Sequence, residues 1–304
     1  MHKEHSKRAA RRRVRVVLIR HAESEDNVIG LRLGAALASG EMTAKQAAAA
    51  FKEQRFVDAP LSSRGRAQAR ALAAHWAPLL ARLGIEGGDD VGDDVRSVEL
   101  CCSPMLRSCE TAQPLHAALS RLRQQQRAGG SGGGGGALRV IVRPDIFEAQ
   151  GLVPKGGDVH APTGMGAAEI RRRFGVGCFD TALLPHGDAP WCATGYERRA
   201  EQLARATRVA AWLKGLPASR APGSSLVCVG HSDFMSLLVR ALLPAGAGAG
   251  DGGASFDFTN TSVSSVLVDD RGGCSVEFLN RAEHLEGEEL ANNPLSAWAS
   301  KSKL

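Results

Sequence analysis

Aromatic side chains are scarce in this chain of 304 residues: one tyrosine, four tryptophans and nine phenylalanines, 5% in all, against 43% hydrophobic residues. The core is therefore expected to be aliphatic, as in an ordinary globular protein. No apolar run approaches the roughly 18 residues of a membrane span, and the N-terminal stretch has no apolar leader. A soluble, non-exported protein without a membrane span is expected. The seven cysteines (101, 102, 109, 178, 192, 228 and 274) are odd in number and form no C-x-x-C pair. Neither a disulfide framework nor a metal-ligand set is expected, and reduced intracellular thiols are the plainer reading.

Net charge is also nearly missing from the body. The first 13 residues, "MHKEHSKRAARRR", carry six Lys/Arg against one Glu, which is +5 of the total +6. Residues 1–13 read as a basic, solvated, disordered tail. No aromatics interleave its charges for base stacking, so nucleic acid is not an expected partner; an anionic membrane or an import receptor is the weaker alternative.

What is present is alternation. "VRVVLIR" (14–20) is a β-branched run of the kind a strand covered on both faces needs. Ala-rich helical sequence follows over 32–55, and a second helical stretch over 64–82. "SVELCCSP" (97–104) reads as a strand stopped by Pro104, then a helix in which Pro114 predicts a kink or an early end. "GGSGGGGG" (129–136) is a flexible insertion. A strand and loop at "LRVIVRPDIFEAQG", helices over 167–173 and 197–215, a strand–turn–helix at "SSLVCVGHSDFMSLLVRALL" and a hairpin turning at 271–273 complete the chain. The pattern predicts a single α/β domain over 14–285, a three-layer αβα sandwich with a mostly parallel sheet, and a tail over 286–304.

Two segments are alike. "VVLIRHAES" and "LVCVGHSDF" each carry a buried strand into a turn that opens with a histidine, His21 and His231. On adjacent parallel strands the two would meet in one crevice, where α/β sheets bind ligands. A third strand delivers Arg107, and the loop after a fourth offers Glu148. Guanidinium forks beside imidazoles suit a tetrahedral phosphate dianion. A histidine among arginines has its pKa pushed down, which keeps the ring neutral and nucleophilic.

These segments resemble the histidine phosphatase superfamily, the phosphoglycerate mutase-like family. "LIRHAESEDN" is similar to its Arg-His-Gly signature, "DAPLSSRGRAQA" to its Leu-x-x-x-Gly-x-x-Gln-Ala segment and "CSPMLRSCETA" to its Ser-Pro-x-x-Arg-x-x-x-Thr-Ala segment. "FEAQG" resembles its acidic loop and "VGHSDF" its second-histidine turn. All five occur in family order between about residues 14 and 284. The resemblance implies a phosphoglycerate mutase-like fold and a metal-independent phosphatase without a cofactor, acting on a phosphorylated small molecule or a phosphoprotein. It implies that His21 takes the phosphoryl group, that Arg20, Arg107 and His231 bind its oxygens with Asn27 as a secondary contact, and that Glu148 is acid and then base. Ser232 stands where related acid phosphatases carry an aspartate, so Asp233 is the lesser candidate donor.

There are departures. Ala22 replaces the glycine after the nucleophile, where a methyl could narrow the pocket or alter the turn. The Glu-Arg-x-Tyr lid of the mutases is missing, since the only tyrosine is Tyr196; mutase activity is the runner-up, and a non-catalytic scaffold comes third. His75, His116 and His186 read as packing or surface residues, Cys101 and Cys102 as core. Arg171, Arg172 and Arg173 read as a solvated helix face, or as a site for a second anionic group together with Lys155 and His160. The terminal Ser302-Lys303-Leu304 matches a peroxisomal address and implies an import receptor as partner, with the cytoplasm as the alternative location. Substrate recognition is expected in 28–57, 149–195 and 243–262.

Overall fold

A computed structural model describes residues 12–83, 97–128, 137–155, 162–192, 196–221, 223–243 and 255–286. The Gly-rich insertion, most of the basic tail, His160 and the terminal tripeptide lie outside the described residues. In chain order the elements are β1 (Arg13–Arg20), α1 (Glu25–Ala38), α2 (Ala44–Gln54), α3 (Ser63–Ala74), α4 (Trp76–Arg82), β2 (Val98–Cys102), α5 (Leu106–Ala128), β3 (Val140–Val142), α6 (Ala167–Phe174), β4 (Phe179–Asp180), α7 (Arg199–Ser219), β5 (Ser225–Gly230), α8 (Ser232–Leu242), β6 (Val263–Asp269) and β7 (Cys274–Arg281).

Among the described residues one sheet takes all seven strands, in the order β4-β3-β2-β5-β1-β6-β7. The first five are parallel, and the β6–β7 hairpin closes one side antiparallel. Strand alternation sorts the apolar residues to two faces. Val17 and Ile19 of β1, with Val227 and Val229 of β5, join the core under α3 to α6. Val14, Val16 and Leu18, with Leu226 and Cys228, join the core under α7 and α8. A strand covered on both sides must be apolar at every position, which is why 14–19 contains scarcely a polar residue. This is the expected mostly parallel, three-layer αβα arrangement.

Boundaries differ from expectation for local reasons. The Ala-rich stretch is two helices, and the first starts earlier, at Glu25, because Ser24 caps it. Gly40 turns the chain at φ 78°, and Thr43 then caps α2. The stretch 64–82 likewise breaks at His75. Pro114 neither ends nor splits α5, which runs 23 residues through it. Ala112 and Leu115 beside it are fully buried, and that packing holds the helix across the missing hydrogen bond. The two-residue edge strand β4 is too short to leave a pattern.

Candidate active site

The register of β1 on β5 sets Arg20 opposite Gly230, so the residues that follow, His21 and His231, emerge side by side. Their ring centroids are 5.1 Å apart. The His21 amide donates to the Gly230 carbonyl at 2.9 Å, closing the two strand ends together. Nδ1 of His21 lies 2.7 Å from the carbonyl of Ala22. A carbonyl only accepts, so Nδ1 carries the proton and Nε2 keeps its lone pair. Arg107, at the start of α5, donates from Nε to that Nε2 at 3.1 Å. Burial, then Arg107, then Arg20 hold the His21 pKa well below the usual imidazole range.

The turn carrying His21 is braced from three sides. Thr111 of α5 accepts from the Ala22 amide at 3.0 Å and donates to the Arg107 carbonyl at 2.7 Å. Gln68 of α3 accepts from the Glu23 amide, and Ser62 donates to the Glu23 carboxylate at 2.6 Å. Gly65 is needed because the Glu23 carbonyl passes 1.9 Å from where a Cβ would stand. On the far side Asn260 donates to the His21 carbonyl at 3.0 Å. Ala22 does not narrow the pocket: its methyl is buried against Leu61 and Ala69, and its φ is not among the positive ones.

His231 caps α8 and is fully buried. Its Nε2 faces Ser103 Oγ at 2.9 Å and Ser108 Oγ at 3.3 Å, while Nδ1 has no partner. Burial, then Arg107 and His21, lower its pKa strongly. Arg20 follows the even positions of β1 toward α8, and its Nη1 donates to the Phe258 carbonyl at 2.5 Å while its buried Nε has no partner. Burial lowers its pKa, which the nearby Glu148 and Asp233 oppose and Arg107 reinforces. Two buried imidazoles and two guanidiniums with unspent donors therefore share one cationic recess.

Glu148 sits in the loop after β3 and reaches the first turn of α8, where its Oε1 accepts from the Phe234 amide at 3.1 Å and from the Ala149 amide at 2.7 Å. Asp233 lies in the same turn, with its pKa raised to about 7 by burial and then by the Glu148 charge. Asn27 is present at the site but is committed: its Oδ1 accepts from the Ser24 amide and from Asn260 Nδ2, so only its amide nitrogen could face a ligand. Beside the recess, Asp58 is raised to about 6 by burial and accepts from the Leu106 amide at 3.0 Å, which anchors the start of the helix carrying Arg107.

Other candidates lie elsewhere. Arg171 pairs with Asp188, and Arg172 and Arg173 both pair with Glu169, so the triple arginine is an exposed helix face already matched by acids. Lys155 donates to the Glu53 carbonyl at 2.9 Å, and Arg55 donates to the Val153 carbonyl at 2.7 Å; the two stretches expected to recognise substrate thus close on each other. His116 bonds Leu138 and Cys178, His75 packs near His284 and His186 is exposed. All seven cysteines are free thiols, with Cys101 and Cys102 buried. Among the described residues no three His, Cys, Asp or Glu side chains group as metal ligands, and no helix is long and apolar enough to cross a membrane. Sequence reasoning missed Ser103, Ser108, Thr111 and Asn260. The first three lie inside the quoted Ser-Pro-x-x-Arg segment and could have been read from it; Asn260 belongs to no motif.

No protein-family model matches the chain, and no curated protein matches it. Among solved structures the chain is similar to the ecdysone phosphate phosphatase of Bombix mori in complex with tungstate, at 17% identity and TM-score 0.49 over 83% of this chain and 88% of that one. It is also similar to a mycobacterial glucosyl-3-phosphoglycerate phosphatase with inorganic phosphate, at 18% identity and TM-score 0.46 over 91% and 100%. A protein histidine phosphatase complexed with tungstate matches at 16% identity and TM-score 0.42 over 90% and 99%. At these scores the likenesses assign no activity to this chain. What the recess can do follows from its own residues.

Proposed function

We propose that the protein is a histidine phosphatase that hydrolyses phosphomonoesters through a phosphohistidine on His21. The observation that carries the reading is the fixed tautomer: Nδ1–H is held on the Ala22 carbonyl at 2.7 Å, and Nε2 points its lone pair at Arg107. A ring held that way, kept neutral by burial and two guanidiniums, is a nucleophile with its phosphate clamp already beside it.

The reaction balances on the residues present. Nε2 of His21 attacks phosphorus; the bond to the leaving oxygen breaks, and that oxygen takes, through Glu148, the one proton that the neighbouring Glu148 and Asp233 carboxyls hold between them. Water then attacks the phosphohistidine and gives a proton back to Glu148, the P–N bond breaks, and inorganic phosphate leaves. Arg20 and Arg107 neutralise the equatorial oxygens, and the neutral His231 donates a hydrogen bond to one of them. The capping role of Asn27 leaves it at most an amide N–H for the phosphate. The chemistry asks for no metal or organic cofactor. The mutase and scaffold alternatives have no observation of their own, and a scaffold would leave the fixed tautomer without a task.

The substrate class remains that of the sequence reading, a phosphorylated small molecule or a phosphoprotein. Delivery to peroxisomes by an import receptor is likewise a proposal on Ser302-Lys303-Leu304; one residue appended after Leu304 should abolish import of a fluorescent fusion. The enzymatic reading is tested by hydrolysis of an aryl phosphate in EDTA. The wild type should turn over and His21→Ala should not; a wild type inactive from pH 4 to 8 would count against it.

A further inference from the structure

The loop that carries Glu148 belongs to no strand ladder, so its carbonyls must find partners elsewhere. The Glu148 carbonyl accepts from the Gly151 amide at 2.9 Å, and those of Asp145 and Phe147 find one side chain. Arg205, in the middle of α7 and 3% exposed, donates from Nη1 to the carbonyls of Asp145 at 3.1 Å and Phe147 at 2.9 Å. Its Nη2 faces the carbonyl of Glu148 itself at 3.5 Å. The remaining donors, Nε at 2.9 Å and Nη2 at 2.5 Å, hold both oxygens of Glu197. All five N–H groups of the guanidinium are spent.

The same guanidinium is stacked between two rings, 3.6 Å from the centroid of Phe147 and 4.2 Å from that of Phe234. Phe147 precedes Glu148 in the chain, and Phe234 supplies the amide that holds Glu148 Oε1 at 3.1 Å. Arg205 therefore joins the main chain bearing the carboxyl to the helix turn that anchors it. A buried ion pair is a poor device for stability alone. Two carbonyls of one loop with a third at 3.5 Å, a bidentate carboxylate and two ring faces on one planar group are a device for holding a position, and lysine cannot reproduce it.

We propose that Arg205 is a positioning residue for Glu148, fixing the proton donor of the phosphatase reaction through the 145–148 carbonyls and the Phe147–Phe234 stack. The proposal rests on the phosphatase reading. It predicts a signature that a merely structural residue would not give. An alkoxide leaves only when protonated, whereas a nitrophenolate leaves well without help. Displacing the acid therefore penalises alkyl phosphates selectively.

The test is kcat/KM, which reports phosphoryl transfer to His21, on phosphate monoesters graded from nitrophenyl to alkyl, for wild type, Glu148→Gln and Arg205→Lys, with inhibition by inorganic phosphate measured alongside. Glu148→Gln should lose about 10²- to 10⁴-fold on alkyl esters. Arg205→Lys should follow in the same direction, losing about 10-fold or more on alkyl esters and under about 3-fold on nitrophenyl phosphate, with phosphate inhibition unchanged. Equal losses on every ester, or no loss, would overturn the proposal. Should Arg205→Lys fail to fold, Glu197→Gln loosens the same fork and is read by the same criteria. If wild type is inactive, or His21→Ala retains activity, the phosphatase reading itself fails and takes the proposal with it; a flat leaving-group dependence in an active, His21-dependent enzyme refutes only the role of Arg205.

Discussion

The Nε–H of Arg107 points at Nε2 of His21 from 3.1 Å, so one guanidinium guards the lone pair that would attack phosphorus and stands ready to bind the phosphate that displaces it. The charge also acts through space, as the largest influence after burial in keeping the His21 ring unprotonated. Nucleophile and clamp are thereby set by a single contact between the ends of β1 and the start of α5.

Removing that charge has two separable consequences. Arg107→Gln should cut kcat/KM by about 10²- to 10³-fold, the usual scale for losing one preorganised charge partner. It should also raise the His21 pKa, since a positive neighbour disfavours imidazolium. The acid limb of the pH–rate profile should therefore move to higher pH, while burial keeps the pKa from returning fully to the ordinary value. NMR titration of the His21 ring checks the shift directly.

Asp233 is a carboxyl whose folded pKa, about 7, is raised above the ordinary 3.8 by burial and then by Glu148. Its contribution to stability is whole below pH 4, where it is protonated in both states, and is lost as pH rises through 7, where folding keeps a charge out of water. Asp233→Asn removes that loss. The variant should match the wild type in stability near pH 4 and exceed it at pH 8, by on the order of 1–3 kcal/mol, melting correspondingly higher there. Melting curves at the two pH values decide it.

Two small residues around the nucleophile turn should respond in contrasting ways. Gly65→Ala forces a Cβ to within 1.9 Å of the Glu23 carbonyl, so the turn must move; we expect a loss of about 2–4 kcal/mol in stability and a fall in kcat. Ala22→Gly restores the residue more usual in the family resemblance. Because the methyl packs on Leu61 and Ala69, the change should cost about 1 kcal/mol and give no increase in kcat. Denaturant unfolding and steady-state rates with an aryl phosphate measure both.

Much of this was legible in the sequence, for physical reasons. The run 14–19 announces a strand buried on both faces because it is apolar at every position but Arg15, which is only partly buried and pairs with Glu277. Repeating that run before a second histidine places His21 and His231 on strand ends, and parallel pairing brings them together. Leu61, Gly65, Gln68 and Ala69 were visible as a motif, but their task was not. That they brace residues 22 and 23 is a tertiary fact, carried by the Glu23 amide and carbonyl. The break at Gly40 is readable from Ser39-Gly40 and the Thr43 cap, whereas the one at His75 carries no glycine and is hidden by the Ala and Leu around it. Asn260 and Arg205 escaped because one lies in an unpatterned turn and the other in the middle of an ordinary-looking helix, and both act on main-chain atoms.

The most direct test of the central claim is to catch the phosphoryl group. The wild type, mixed briefly with a phosphomonoester and quenched in alkali, should carry one phosphoryl group on a peptide containing His21, stable to base and lost in acid, and absent from His21→Ala. A wild type that turns over substrate while never carrying that group, or that carries it on another residue, would contradict the account.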